Sequence, residues 1–250
     1  MDLLAGKMLG FILVLTRVGA FFSVSPVFSW QAIPMKVKMS MAILTSIFFS
    51  SITSSTLNSE NLDIIEVTLM IANEAIYGLS LGLIASMLFS VVKLAARIVE
   101  RQMGLSMAQV LDPLSGESGQ PLGMIMEIIF VLLFLSANGH HMLLLTISKS
   151  YDVFAIGSIP TIEVLLDGVI AAGSTMLVLG LKMSAPIFGA FLLMMVVLAI
   201  MARAAPEANI LFLSLPLRVG LGLLMVAVFL PFISNFVAEL TKFMDKLLPI

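Results

Sequence analysis

Two stretches near the C-terminal end, residues 183–202 and 219–238, each run 20 residues without a charge, and each is bracketed by charges: Lys182 and Arg203, then Arg218 and Glu239. At a helical rise of about 1.5 Å per residue, each is about 30 Å long, the thickness of a bilayer's hydrocarbon core. Along the whole chain 60% of residues are hydrophobic and 11% are charged, with mean hydropathy +1.14. A soluble domain carries about 25% charged residues. This much apolar surface belongs in or against lipid.

Several function classes are set aside by what the chain lacks. A net charge of -2 and a pI near 5.7 offer no basic footprint for nucleic acid. With no cysteine there is no disulfide framework, thiolate metal site or cysteine nucleophile. The first residues, Met1 to Lys7, lack the basic n-region and small-residue cleavage site of a secretory signal, and are read as the first structural helix. No HExxH, GxSxG, GxxxxGK or GxGxxG pattern occurs. His140 and His141 are adjacent, so a helix would point them in different directions, and the acidic residues show no paired spacing for acid and base work. No enzyme, catalytic residue, metal site or cofactor is expected.

Six apolar stretches, about 3–25, 38–57, 62–102, 121–147, 162–202 and 208–245, are expected to be helices, because lipid offers no water to satisfy exposed backbone groups. They are not routine spans. The first carries Lys7 and Arg17; the third holds Glu66, Asn73, Glu74, Lys93, Arg97 and Arg101; the fourth holds Glu127; the fifth holds Lys182 followed by Pro186. A charge at the centre of a lipid-facing helix costs about 2.5 to 3.5 kcal/mol on insertion scales. Lys7 and Lys242 can snorkel to an interface, but Glu74 and Glu127 need protein or water beside them. No basic residue lies between Lys38 and Lys93, which places the loop near Asn58 to Asn61 away from the cytoplasm and Lys36 and Lys38 toward it.

Gly78, Gly82 and Ser86, and Gly168 with Ala172, recur at four-residue spacing, the pattern that lets helix backbones approach closely in lipid. Lys93, Arg97 and Arg101 form one basic stripe with Glu100 beside it. That helix feeds the longest polar interruption, Gly104 to Pro121, where Asp112-Pro113, Gly116 and Gly119 stop any helix. Two readings of this irregular loop stay open: a gate lining a water-filled path, or a solvated surface loop. Four of the 19 methionines, Met103, Met107, Met124 and Met126, cluster around it, and methionine adapts to irregular and changing surfaces.

The order of the chain's punctuation resembles the FliR family, the export-gate subunit of the flagellar type III secretion system, and its injectisome counterpart SctT. The residues that carry this are Arg17 and Gly19, Pro26, Ile33-Pro34 and Lys36, Met103-Gly104 with Asp112-Pro113, Asn138-Gly139-His140 with Ser150-Tyr151, Ala185-Pro186, and Pro206 with Asn209. The resemblance covers essentially the whole chain. Glu207-Ala208, and Ile156 where related chains often have a proline before the glycine, depart from the pattern.

The resemblance implies an all-α membrane protein of helical hairpins with broken helices. Residues 1–160, including the 104–121 plug loop, would be FliP-like, and residues 161–250 a FliQ-like hairpin. It implies a non-catalytic structural and gating subunit in a hetero-oligomeric ring with FliP and FliQ, with FlhB and FlhA as further partners and unfolded export substrates as cargo. The setting would be lipid of the bacterial inner membrane in the flagellar basal body, with the assembled core raised toward the periplasm. The plug would comprise Met103, Gly104, Met107, Gln109, Asp112, Pro113, Ser115, Gly116, Glu117, Gly119 and Pro121. Subunit interfaces would use Arg17, Glu74, Arg97, Arg101, Glu127, Lys182, Pro186, Arg203, Pro206 and Asn209. A virulence injectisome subunit is the neighbouring alternative. The rival from another class is a small-solute secondary transporter, suggested by broken helices and intramembrane charges, although the two parts lack repeated halves.

Overall fold

A computed structural model of the protein describes residues 2–30, 33–52, 63–105, 121–158, 162–205 and 210–247, without the side chains of 2–5, 210–211, 232, 234–235 and 237–247. All regular structure among these residues is helical: α1 (Asp2–Val24), α2 (Met35–Ile52), α3 (Ile64–Met103), α4 (Pro121–Ser136), α5 (Gly139–Val153), α6 (Ile162–Ala204) and α7 (Ile210–Leu247). Five helices are long and apolar enough to cross a membrane, and six spans result if the broken pair α4 and α5 counts as one. The protein is an all-α membrane protein.

The breaks follow local chemistry. Pro26 ends α1, and the chain turns so that the Ser25 carbonyl accepts the Phe28 and Ser29 N–H groups, which stacks Phe28 on Phe22 at 4.2 Å. The stretch expected over 121–147 is two helices rather than one. Asn138 adopts a left-handed backbone (φ 58°) between them, a conformation that asparagine tolerates better than most residues, and α5 runs on to Val153. Prolines 186, 216 and 231 lie inside α6 and α7 without ending them. Helices in lipid tolerate proline because neighbouring groups take up the freed carbonyls.

The helices form two compact units. One comprises residues 1–89, 138–174 and 240–250; the other comprises 90–137 and 175–239. Each draws on both sides of residue 160. In the first, α1 and α3 are in backbone contact: a Cβ built on Gly78 would lie 2.2 Å from the Arg17 carbonyl oxygen, and one on Gly82 3.1 Å from that of Phe21. The four-residue glycine spacing is thus the surface that admits α1. Leu13, Val18, Phe21, Tyr77 and Ile147 are fully buried around it.

In the second unit Val92, Ala96 and Val99 of α3 are buried with Phe130 and Phe134 of α4 and Ile187 and Phe191 of α6. A Cβ on Gly222 would fall 2.4 Å from the Met103 side chain, so this glycine is the socket for Met103.

Candidate functional site

Two polar assemblies lie at the ends of apolar helices, one within each unit. The first is built on Arg17, which is 0% exposed, as is Glu74. Arg17 Nε donates to Glu74 Oε2 at 2.5 Å and Nη2 to Oε1 at 3.1 Å, the bidentate geometry that a guanidinium makes with a carboxylate. Its remaining donors reach the C-terminal end of α5: Nη1 to the Ser150 carbonyl and hydroxyl at 3.2 and 3.3 Å, and Nη2 to the Phe154 carbonyl at 3.1 Å. The Gly157 N–H donates to Glu74 Oε1 at 2.9 Å. Tyr77 and Tyr151 lie against the guanidinium, with ring centroids 4.8 and 4.4 Å from its carbon. A guanidinium has five N–H donors, and five contacts occupy it here. The assembly fastens α1, α3, α5 and the turn after α5, and leaves no donor for a substrate.

The second assembly is the neck between α3 and α4. Gly104 (φ 79°) ends α3, with its N–H on the Arg101 carbonyl at 3.2 Å and the Leu105 N–H on the Glu100 carbonyl at 3.3 Å, a Schellman-type end. Glu100 also reaches across: its Oε1 accepts the Leu122 N–H at 2.6 Å and the Gly123 N–H at 3.0 Å, two donors of α4's first turn that have no acceptor within their own helix. A carboxylate is disfavoured in the last turn of its own helix and favoured at the start of another, so Glu100 gains by spanning the two. Beside it, Lys93 pairs with Glu127 at 2.7 Å. An apolar cavity of about 40 Å³ lies among Val99, Leu122, Met126, Ile187, Val226 and Ile233. Its walls offer nothing to hold a water.

Removing the Glu100 carboxylate leaves two buried N–H groups without partners. Glu100→Ala is expected to cost about 1–2 kcal/mol at the start of α4. Amide exchange at Leu122 and Gly123 should accelerate about tenfold or more, with Glu100→Gln between the two; unchanged exchange would show that the cap does not hold the neck.

The expected site residues fall in several places. Arg17 and Glu74, expected at subunit interfaces, are enclosed inside the chain and spent on each other. Met103, expected to seal a pore, is 1% exposed and seated on Gly222. Gly104 and Pro121 mark the two ends of the neck. Met107, Gln109, Asp112, Pro113, Ser115, Gly116, Glu117 and Gly119 lie outside the described residues, as do Pro206 and Asn209. Arg97, Arg101, Lys182, Pro186 and Arg203 are exposed, and Glu127 is partly so. The rings of His140 and His141 sit with centroids 4.5 Å apart, the first half-buried and the second exposed. Among the described residues no group of three or more histidine or acidic side chains could hold a metal.

The roles of Ser150 and Phe154 as acceptors for Arg17, of Gly157 as a donor to Glu74, and of Glu100 as a bridge escape the sequence reading. The available signal was an acidic residue in the last turn of α3, where the helix end repels it.

A family model described as bacterial export proteins, family 1, matches residues 8–244. The chain is 31% identical over 223 residues to the flagellar biosynthetic protein FliR of Bacillus subtilis, covering 87% of this chain and 85% of that one. It is 29% identical over 226 residues to FliR of Escherichia coli, covering 90% and 86%. It is also 27% identical over 232 residues to the Yop proteins translocation protein T of Yersinia pestis, covering 91% and 88%.

Proposed function

Because the chain belongs to the bacterial export proteins, family 1, we propose that it is a structural and gating subunit of a type III protein-export gate. In this reading it joins FliP- and FliQ-type subunits in a ring around a conduit for unfolded flagellar proteins, with FlhB against its base and FlhA as a further partner. Residues 1–160 take the FliP-like place and 161–250 the FliQ-like one, and the 104–121 segment is the plug. No catalytic role is proposed.

One observation carries this reading. At about 1.5 Å per residue the 43-residue α6 is about 64 Å long, against about 30 Å of hydrocarbon. Large apolar residues are exposed along all of it, from Ile162 and Ile170 through Leu181 to Leu193 and Ile200. Only 17% of the most apolar part of each of α2, α6 and α7 is buried. A bilayer covers about half of such a helix, so the rest needs protein around it. This supports an assembled core standing partly outside the membrane plane, and in the proposed reading the side it stands on is the periplasmic one. Arg97, Arg101, Glu127, Lys182, Pro186, Arg203, Pro206 and Asn209 are the interface candidates on this reading.

The charges that suggest a small-solute transporter are largely spent within the chain: Arg17 on Glu74, Glu100 on α4, Lys93 on Glu127. The Yersinia relative keeps one alternative in view, the equivalent place in an injectisome. The mass of the complex purified in mild detergent tests the proposal. Co-purification with several copies of two smaller membrane proteins is expected; a particle of this chain alone that binds a small solute would overturn it.

A further inference from the structure

Residues 183–202 of α6 carry no charge on any side, yet only one side is used within the second unit. Ser184, Ile187, Phe191 and Leu198 are buried. Facing away from them, Lys182, Ala185, Gly189, Leu192, Val196 and Ala199 follow one another at spacings of three, four, three, four and three, and Arg203 adds another four. Residues so spaced lie along one face, the kind of seam through which a second helix packs knobs-into-holes. The seam is open: Leu192 and Val196 are 50% and 57% exposed, and a Cβ built on Gly189 would meet nothing within 4 Å. Ala185, Gly189 and Ala199 are small enough to let a second backbone come close.

The seam also has a defined polar demand. Lys182 is exposed, has no ion-pair partner among the described residues, and stands beside Val178 and Leu181, which are 48% and 59% exposed. Pro186 has no N–H to give to the Lys182 carbonyl four residues back, so one residue presents both an ammonium and a freed acceptor. A second copy docking through the same seam would meet like charge in either direction, Lys182 on Lys182 or Lys182 on Arg203. Between Asp167 and the end of α6 there is no acidic residue to relieve it. The complement is therefore a different chain.

We propose that this outer seam of α6 seats one apolar helix from a different subunit, which places a carboxylate against Lys182 and a side-chain hydroxyl or amide donor against its carbonyl. The inference rests on the reading of the chain as an assembly subunit and specifies the chemistry of one neighbour.

The test uses the intact complex isolated from cells, with a photo-reactive residue in place of Val196. A cross-link to a subunit other than this chain is expected. Lys182→Glu should lower its yield about tenfold or more and Lys182→Arg should keep most of it, since removing one partner of a desolvated charge pair leaves the other buried and unpaired. Lys182→Met, which introduces no new charge, should also lower the yield. Changing the acidic residue found opposite to lysine should restore the Lys182→Glu variant. A complex of normal mass whose Val196 cross-links go only to lipid or to a second copy of this chain would overturn the seam while leaving the assembly reading standing. So would a yield indifferent to Lys182→Glu. A chain that purifies alone would overturn both.

Discussion

Glu74→Ala is expected to remove most of the folded protein. The substitution deletes the bidentate partner of Arg17 while leaving the guanidinium 0% exposed among Tyr77, Tyr151 and the end of α5. Breaking a buried pair by removing one partner costs about 3–5 kcal/mol, against about 5–15 kcal/mol for the whole stability of a typical domain. The Gly157 N–H loses its acceptor in the same change, which loosens the turn after α5. The contrast that isolates the cause is the double variant Arg17→Met with Glu74→Leu, because replacing both charges by apolar groups of similar volume is often nearly neutral. Thermal unfolding in detergent, followed by size-exclusion yield, should place Glu74→Ala far below wild type and the double variant well above it. A Glu74→Ala protein within about 1 kcal/mol of wild type would show that the pair contributes little.

The second large effect is steric. Gly78 lies where α3 meets the backbone of α1, with an added Cβ 2.2 Å from the Arg17 carbonyl oxygen and 2.8 Å from the Ala20 Cβ. Neither neighbour is the yielding end of a long side chain, so Gly78→Val must push the helices apart at the residue that carries the clasp. Overpacking of this kind costs about 1–3 kcal/mol and here also stretches the Arg17 contacts, so about 3 kcal/mol or more is expected. Gly19 is the internal control, since a Cβ there meets nothing within 4 Å. Gly19→Ala should be neutral or stabilise by about 0.5–1 kcal/mol, because alanine suits a helix interior better. Equal melting temperatures for the Gly78→Val and Gly19→Ala variants would rule out the close approach.

How far the chain can be read unaided differs from feature to feature. The helix pair at Gly78 and Gly82 is visible as a spacing, because close approach demands small residues one turn apart. The end of α1 at Val24 is visible as the limit of the first apolar stretch near residue 25, whereas proline alone does not mark an end, since Pro186, Pro216 and Pro231 lie inside helices. The break at Asn138 is not, since asparagine adopts the left-handed backbone only when its surroundings hold it there. The polar content of the helices reads correctly as a need for partners, but the identity of those partners does not. Glu74 lies 57 residues from Arg17 and Ser150 lies 133. Nothing local distinguishes a carboxylate that meets its own chain from one that meets another.

The sequence alone determined that this protein is helical, lipid-associated and too polar within its helices for all their charges to face lipid, because the cost of such a charge can be read from its residue type and its place in an apolar run. Only the tertiary structure decided where each charge goes: Arg17 and Glu74 closed inside one unit, Glu100 across the neck, and Lys182 outward on an open seam of α6. The physical reason is that a charge in a low-dielectric setting is stabilised by atoms within hydrogen-bond reach, and which atoms those are is set by how helices far apart in the chain come together.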